Sequence, residues 1–351
     1  MNKTLSLLLL IFLVELAVFA QVRYKDFIVT DKAIWALSER GELDVFDVKS
    51  GKSIKRNTGG YSEIKDITTD IQGRLVITDK NGWVKSFNGQ TQTWIDIVRL
   101  KEINYGILFD SKNRCYAITN KGIIDVGNDR IYFSGSSLND QIRPKEFWEK
   151  PYCYYIDKKD RIWIGYGYGE WGGNLYVFET TSKNFLTSTL NTFQISLWPV
   201  RSFFEDSSSV YLSAGLQHMF TKGTIIGFKN LKAFTLLEST IHEGEPDDKG
   251  MRKMLNGEYI GPATFNKFTN SIYFYSQNGM FKGNTSRDLS KVENWELIVK
   301  PQLQWENGQP DAVGSPMNVL KITILDKDRF AFLSQNDGIG LYDGNKVIML
   351  K

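Results

Sequence analysis

Asp157-Lys-Lys-Asp-Arg-Ile-Trp-Ile-Gly165, followed by the crossing Tyr166-Gly-Tyr-Gly-Glu-Trp-Gly-Gly173 and by Asn174-Leu-Tyr-Val-Phe178, is the fullest copy of a unit that recurs along this chain of 351 residues. It reads as a polar turn, an apolar strand, a glycine-rich loop and a second strand. An Asp at the head of such a turn can accept hydrogen bonds from nearby backbone amides. A short apolar run bounded by turn residues is the pattern of a strand covered on both faces. Asp70-Ile-Gln-Gly-Arg-Leu-Val-Ile77 and Asp110-Ser-Lys-Asn-Arg-Cys-Tyr-Ala-Ile118 repeat the unit, Ala33-Ile-Trp-Ala-Leu37 precedes them, and weaker copies surround Tyr211, Tyr273 and Ala331.

The strand centres Trp35, Val76, Tyr116, Trp163, Tyr211, Tyr273 and Ala331 are separated by 40 to 62 residues. Units of about 40 residues plus insertions match the four-strand period of a propeller blade. The sequence therefore predicts an all-β, seven-bladed β-propeller of four-stranded antiparallel blades, forming a single domain over 21–351. In the second blade the strands are expected at 63–69, 74–78, 83–87 and 93–98. The last blade is expected to supply its own outer strand near Val347, with closure of the ring left to side-chain packing.

The first twenty residues have a positive start at Lys3, an apolar stretch from Leu7 to Val14 and small residues before Ala20. That is the pattern of a secretory signal peptide over 1–20, cleaved near Ala20. A secreted or periplasmic product without a membrane span is expected. With 43 Lys+Arg against 40 Asp+Glu the charge is too balanced for a nucleic-acid partner. Cys115 and Cys153 read as two buried thiols on neighbouring units in preference to a disulfide. Two cysteines with His218 and His242 cannot build a cysteine-rich zinc site, and no metal or cofactor is expected.

Asp157 to Gly165 and Asp70 to Thr78 resemble the propeller repeats in the periplasmic sensor regions of bacterial hybrid two-component regulators. The resemblance covers the first four units well and the last three loosely, and it implies the propeller fold more than any one activity. Unlike those regulators, the chain is expected to carry no membrane helix and no signalling domain. Thr285-Ser-Arg-Asp288 with Asn294-Trp-Glu296 also resembles a sialidase-type Asp-box from which the Gly and Thr are missing.

In such a ring the loops joining second to third strands share a face with the blade-to-blade connections. The long segments 135–150, 166–173, 215–223, 239–259 and 301–317 all fall in those two classes, so this face is where a site is expected. Tyr166, Tyr168, Glu170, Trp171 and Trp305 are the candidate ligand-binding residues, since aromatic faces beside carboxylates can stack on a sugar ring or anchor a protein. Trp148 and Trp198 are expected to pack between blades. The leading expectation is a monomeric, non-catalytic recognition module for a protein or glycan. The alternative is a lyase or hydrolase acting on a saccharide or small molecule with His218 and His242 as catalytic groups, similar to the streptogramin lyases.

Overall fold

The protein was analysed as a computed structural model that describes residues 22–350 except 31, 55–62, 135–147, 187–189, 191–192, 219, 241, 247, 249–250, 256 and 304–317. Seven antiparallel sheets follow one another along the chain. Blade 1 holds β1 (Tyr24–Val29), β2 (Ala33–Ser38) and β3 (Leu43–Asp47), with a single further bridge from Phe46 to Ser53. Blade 2 holds β4 (Ile64–Thr69), β5 (Leu75–Asp79), β6 (Trp83–Asn88) and β7 (Thr93–Arg99). Blade 3 holds β8 (Asn104–Phe109), β9 (Cys115–Thr119), β10 (Gly122–Asp125) and β11 (Arg130–Tyr132). Blade 4 holds β12 (Cys153–Ile156), β13 (Arg161–Gly167), β14 (Gly173–Glu179) and β15 (Asn184–Phe185). Blade 5 holds β16 (Val200–Glu205), β17 (Val210–Gln217), β18 (Thr221–Lys229) and β19 (Lys232–Ser239). A separate hairpin, β20 (His242–Pro246) with β21 (Arg252–Leu255), leads to blade 6, made of β22 (Ala263–Asn266), β23 (Ser271–Ser276), β24 (Gly279–Asn284) and β25 (Trp295–Val299). Blade 7 holds β26 (Val319–Ile324), β27 (Phe330–Ser334), β28 (Gly338–Tyr342) and β29 (Val347–Met349).

The expected seven-bladed propeller of four-stranded antiparallel blades is thus observed, with blade 1 showing three strands and the Phe46–Ser53 bridge among the described residues. First strands of successive blades touch one another and ring the axis. Wholly buried runs occur in second strands such as β2 and β23 and in the third strands β10 and β28. The first strands are only partly buried, as in β1 and β26. The apolar runs that set the period are therefore one position out from the axis, where a neighbouring blade covers each face.

The recurrent turns have one geometry. Asp157 Oδ1 accepts from the Lys159 and Arg161 amides, while Oδ2 accepts from Arg161 Nε at 2.7 Å and Trp163 Nε1 at 2.8 Å. Asp70 and Asp110 repeat the backbone and arginine contacts. The Asp–Arg pairs are not the exposed ones that the residue types alone suggest: the carboxylates are buried, and the Arg side chains range from 9% exposed at Arg161 to 49% at Arg74.

Apolar clusters fill the seams between blades. Trp163 packs with Phe203 and Phe228 between blades 4 and 5, and Tyr116 lies with Ile162 and Phe178 between blades 3 and 4. The ring closes without strand exchange: β29 belongs to the sheet of its own blade. Tyr24, Phe27 and Ile34 of blade 1 pack on Ala331, Leu333 and Leu341, and Lys321 Nζ donates to Asp26 Oδ1 and the Phe27 carbonyl. Cys115 and Cys153 are free thiols in different seams, one with Val84 and Ile107 and the other with Trp163 and Val200.

Candidate recognition site

The β13–β14 connection carries four of the five residues singled out from sequence. Its strands run further than composition implies, pairing as far as Gly167 with Gly173, so the loop is only Tyr168 to Gly172. Tyr166 is therefore a strand residue. It is 3% exposed and packs on Tyr176, and its hydroxyl donates to the Glu149 carbonyl at 3.3 Å. Tyr168 is half-buried with its ring stacked on Tyr166 at 5.8 Å. These two tyrosines form the wall that supports the loop. Burial raises both phenols well above their ordinary range.

Trp171 is presented outward, 72% exposed, at the end of a single 3-10 turn, Gly169–Trp171. The Tyr168 amide donates to the Gly172 carbonyl at 2.7 Å and the Gly172 amide to the Gly169 carbonyl at 3.1 Å. The glycines after Trp171 have a reason that the sequence does not show. Gly172 has φ +79°, and a Cβ there would overlap the Ser196 carbonyl oxygen; one at Gly173 would overlap that of Trp198. They let the loop lie directly on the 195–198 segment that enters blade 5. Trp305 lies outside the described residues.

Glu170 and His218 come together although 48 positions apart: His218 Nδ1 is 3.1 Å from Glu170 Oε2. His218 stands in the short connection between β17 and β18, the blade 5 counterpart of the Trp171 loop. His242 does not join them. It opens β20 on an exposed hairpin, its Nδ1 3.4 Å from the Thr240 carbonyl, and the adjacent Glu243 pairs with Arg252. Among the described residues no group of three or more His, Cys, Asp or Glu is placed to hold a metal ion.

Three further side chains belong to this surface and carry no sequence signal of their own. Leu197 is 52% exposed in the segment under Gly172, and Phe220 is 38% exposed beside His218, whose amide donates to the Phe220 carbonyl. Lys222 extends its ammonium 4.6 Å over the Trp198 ring, and desolvation lowers its pKa. Trp148 and Trp198 are buried between blades, as their positions predict. The blade 4–5 junction thus carries Trp171, Leu197 and Phe220 as apolar groups and Glu170, His218 and Lys222 as polar ones. An isolated Leu or Phe in a loop is ordinary in sequence, and only the seam brings these together.

No family model matches the chain, and no curated protein matches it significantly. Its likeness is to solved structures at 9 to 14% identity, which shows the fold alone. The extracellular domain of BT4673 from B. thetaiotaomicron, assigned to a one component or hybrid two component system, is 14% identical with a TM-score of 0.55 over 93% of this chain and 39% of that one. The chain thus spans about two fifths of that domain. PorZ, a bacterial surface component of the type-IX secretion system of Porphyromonas gingivalis, is 12% identical with a TM-score of 0.52 over 95% of this chain and 39% of that one. The β-propeller domain of Cps50 (Swd1) from Myceliophteria thermophila is 9% identical with a TM-score of 0.59 over 93% of this chain and 98% of that one. No helix among the described residues is long and apolar enough to cross a membrane.

Proposed function

We propose that the chain is an exported, non-catalytic recognition module that binds a protein or glycan through the face carrying Trp171, with Glu170, His218, Leu197 and Phe220 around it. The observation that supports this most directly is Trp171 itself. A large aromatic left 72% exposed on a loop clamped by Gly172 is costly to leave in water and is pre-organised for contact. Tyr166 and Tyr168 back that loop, and Trp305, the remaining candidate from sequence, lies outside the described residues. The extracellular and surface placement of BT4673 and PorZ accords with export after cleavage near Ala20.

The test is a glycan-array and pull-down screen with the full chain, followed by Trp171→Ala. Loss of a central aromatic anchor costs about 2 kcal/mol or more, roughly 30-fold in affinity. The thermal midpoint of Trp171→Ala should be unchanged because its ring has few protein neighbours. Undiminished affinity in Trp171→Ala would remove this surface from consideration. The contact between His218 and Glu170 keeps a second reading in play, in which His218 is a general base oriented by the carboxylate. On that reading His218→Ala abolishes an observed turnover, and turnover that survives in both His218→Ala and His242→Ala excludes it.

A further inference from the structure

Arg201, the second residue of β16, is a cation kept almost dry. It is 3% exposed. Its Nε donates to the Gly215 carbonyl at 3.0 Å, and its guanidinium carbon lies 4.8 Å from the centre of the Tyr152 ring. Among the described residues these are its hydrogen bond and its ring contact, and no carboxylate lies within ion-pair distance. The contrast with the turn arginines is direct: Arg74, Arg114 and Arg161 each meet an Asp at 2.6 to 2.7 Å. Gly167, at the base of the Trp171 hairpin, closes over the site, a Cβ there falling 3.3 Å from Arg201 Nη1.

The Gly215 whose carbonyl accepts from Arg201 lies directly against the Tyr259 ring, a Cβ there falling 2.7 Å from Tyr259 Cε2. Tyr259 is 1% exposed, and among the described residues its phenolic oxygen has no hydrogen bond. Arg201 and the phenols of Tyr152 and Tyr275 act on it electrostatically, and its ring shares the Gly261 backbone with the Tyr275 ring. The Cys153 thiol is also in range of Arg201, but burial holds it protonated and neutral. Arg201, Tyr152, Tyr259 and Tyr275 come from blades 4, 5 and 6, and Arg201 lies at the loop-face end of β16, the first strand of its blade.

A buried cation without a counter-charge and a buried hydroxyl without an acceptor are both unfavourable. One kind of group relieves both. An oxyanion takes two parallel N–H bonds from the planar guanidinium fork and a third from the phenol. We propose that Arg201 and Tyr259 form a binding site for the carboxylate or phosphate group of a ligand at the loop-face end of the central channel. Tyr152 supplies the ring that fixes the guanidinium plane, and Tyr275 walls the far side. This site goes beyond the Trp171 surface and does not depend on it.

The test compares the thermal midpoint of the full chain in sodium acetate and in inorganic phosphate with that in sodium chloride at matched ionic strength. The wild-type midpoint should rise with either oxyanion beyond its rise in chloride. Arg201→Met should lose that increment, equivalent to at least about 30-fold weaker binding. Because phosphate also stabilises proteins by exclusion from their surface, the quantity read is the difference between wild type and variant. Tyr259→Phe removes one hydroxyl and keeps the ring, and should weaken binding about three- to tenfold; it carries the comparison if Arg201→Met does not fold. A larger increment with acetate identifies a carboxylate ligand, and a larger one with phosphate a phosphorylated ligand. Trp171→Ala should leave the increment intact, which separates this site from the loop surface. No increment over chloride in the wild type, or one undiminished in both Arg201→Met and Tyr259→Phe, overturns the proposal.

Discussion

Replacing Asp157 by Ala should be the most damaging change among the repeated turn residues, and its size follows from what the carboxylate holds. Asp157 is 3% exposed and accepts from two backbone amides, from the Arg161 guanidinium and from the Trp163 indole. Trp163 is fully buried and Arg161 keeps only 9% of its side chain exposed, so neither finds water when the carboxylate is gone. Breaking a buried pair while leaving one charge behind costs about 3–5 kcal/mol. Asp70 makes the same turn, but Arg74 is 49% exposed and is rehydrated when released, which limits the loss to about 1–2 kcal/mol. Unfolding entropy of about 2.1 cal/mol/K per residue gives roughly 0.7 kcal/mol/K for a ring of about 330 residues. The thermal midpoint followed by circular dichroism should therefore fall by about 4–7 °C in Asp157→Ala and by about 2 °C in Asp70→Ala. Equal losses would mean that the indole bond and the burial of Arg161 contribute nothing beyond the shared backbone turn, and the reasoning would fail.

Other outcomes follow from individual sites. Gly172→Ala should unseat the Trp171 loop, since its φ of +79° disfavours a side chain and the Ser196 carbonyl occupies the space; hydrogen exchange over 168–172 should accelerate, and an unchanged rate would contradict the packing. Burial raises the Asp66 carboxyl to about 7 although the Ile107 amide and the Tyr154 hydroxyl donate to it, with Asp26 adding to the rise and Lys321 opposing it. The folded form then holds a proton that the unfolded form has released, so Asp66 makes stability fall as pH rises from about 4 to 7, by at most about 4 kcal/mol. Asp66→Asn should flatten urea midpoints across that window and be more stable than wild type above it; a slope equal to wild type would count against this. Burial pushes the Cys115 thiol up to about 12, and the Cys153 thiol also rises. Both should react with iodoacetamide only after denaturation, and rapid native-state labelling would show that the seams open.

The legible part of this fold was the part that repeats. Asp157 and Arg161 recur at the same spacing as Asp70/Arg74 and Asp110/Arg114 because those blades share one turn before a covered strand, and such a period is visible in a single sequence. What holds one blade to the next was not legible. Asn113 and Asp160, both at positive φ, occupy the fourth position of their turns. Their side chains accept from Ile71 and Ser111 in the preceding blade. Those partners are more than 40 residues away, and nothing local distinguishes them from ordinary turn residues. The same limit governed the site. Tyr166 and Tyr168 look alike in the glycine-rich crossing, yet register places the first inside β13, where neighbouring blades cover it, and leaves the second at the loop. Glu170 and His218 were each apparent as polar loop residues, but their contact spans a seam.

Seams also fix what a ligand should do to the whole ring. The Glu170–His218 contact joins blades 4 and 5, and the Arg201–Tyr259 neighbourhood reaches blade 6. A propeller unfolds when a seam parts, because each blade leaves its apolar faces uncovered once its neighbour departs. A molecule bound across these seams must lose its contacts when either one opens, so its binding free energy adds to the stability of the intact ring and not only to that of one loop. Ligands of the channel site and of the Trp171 surface should therefore both raise the global midpoint. Ligand bound within a single blade would slow hydrogen exchange there and leave the midpoint set by the other seams.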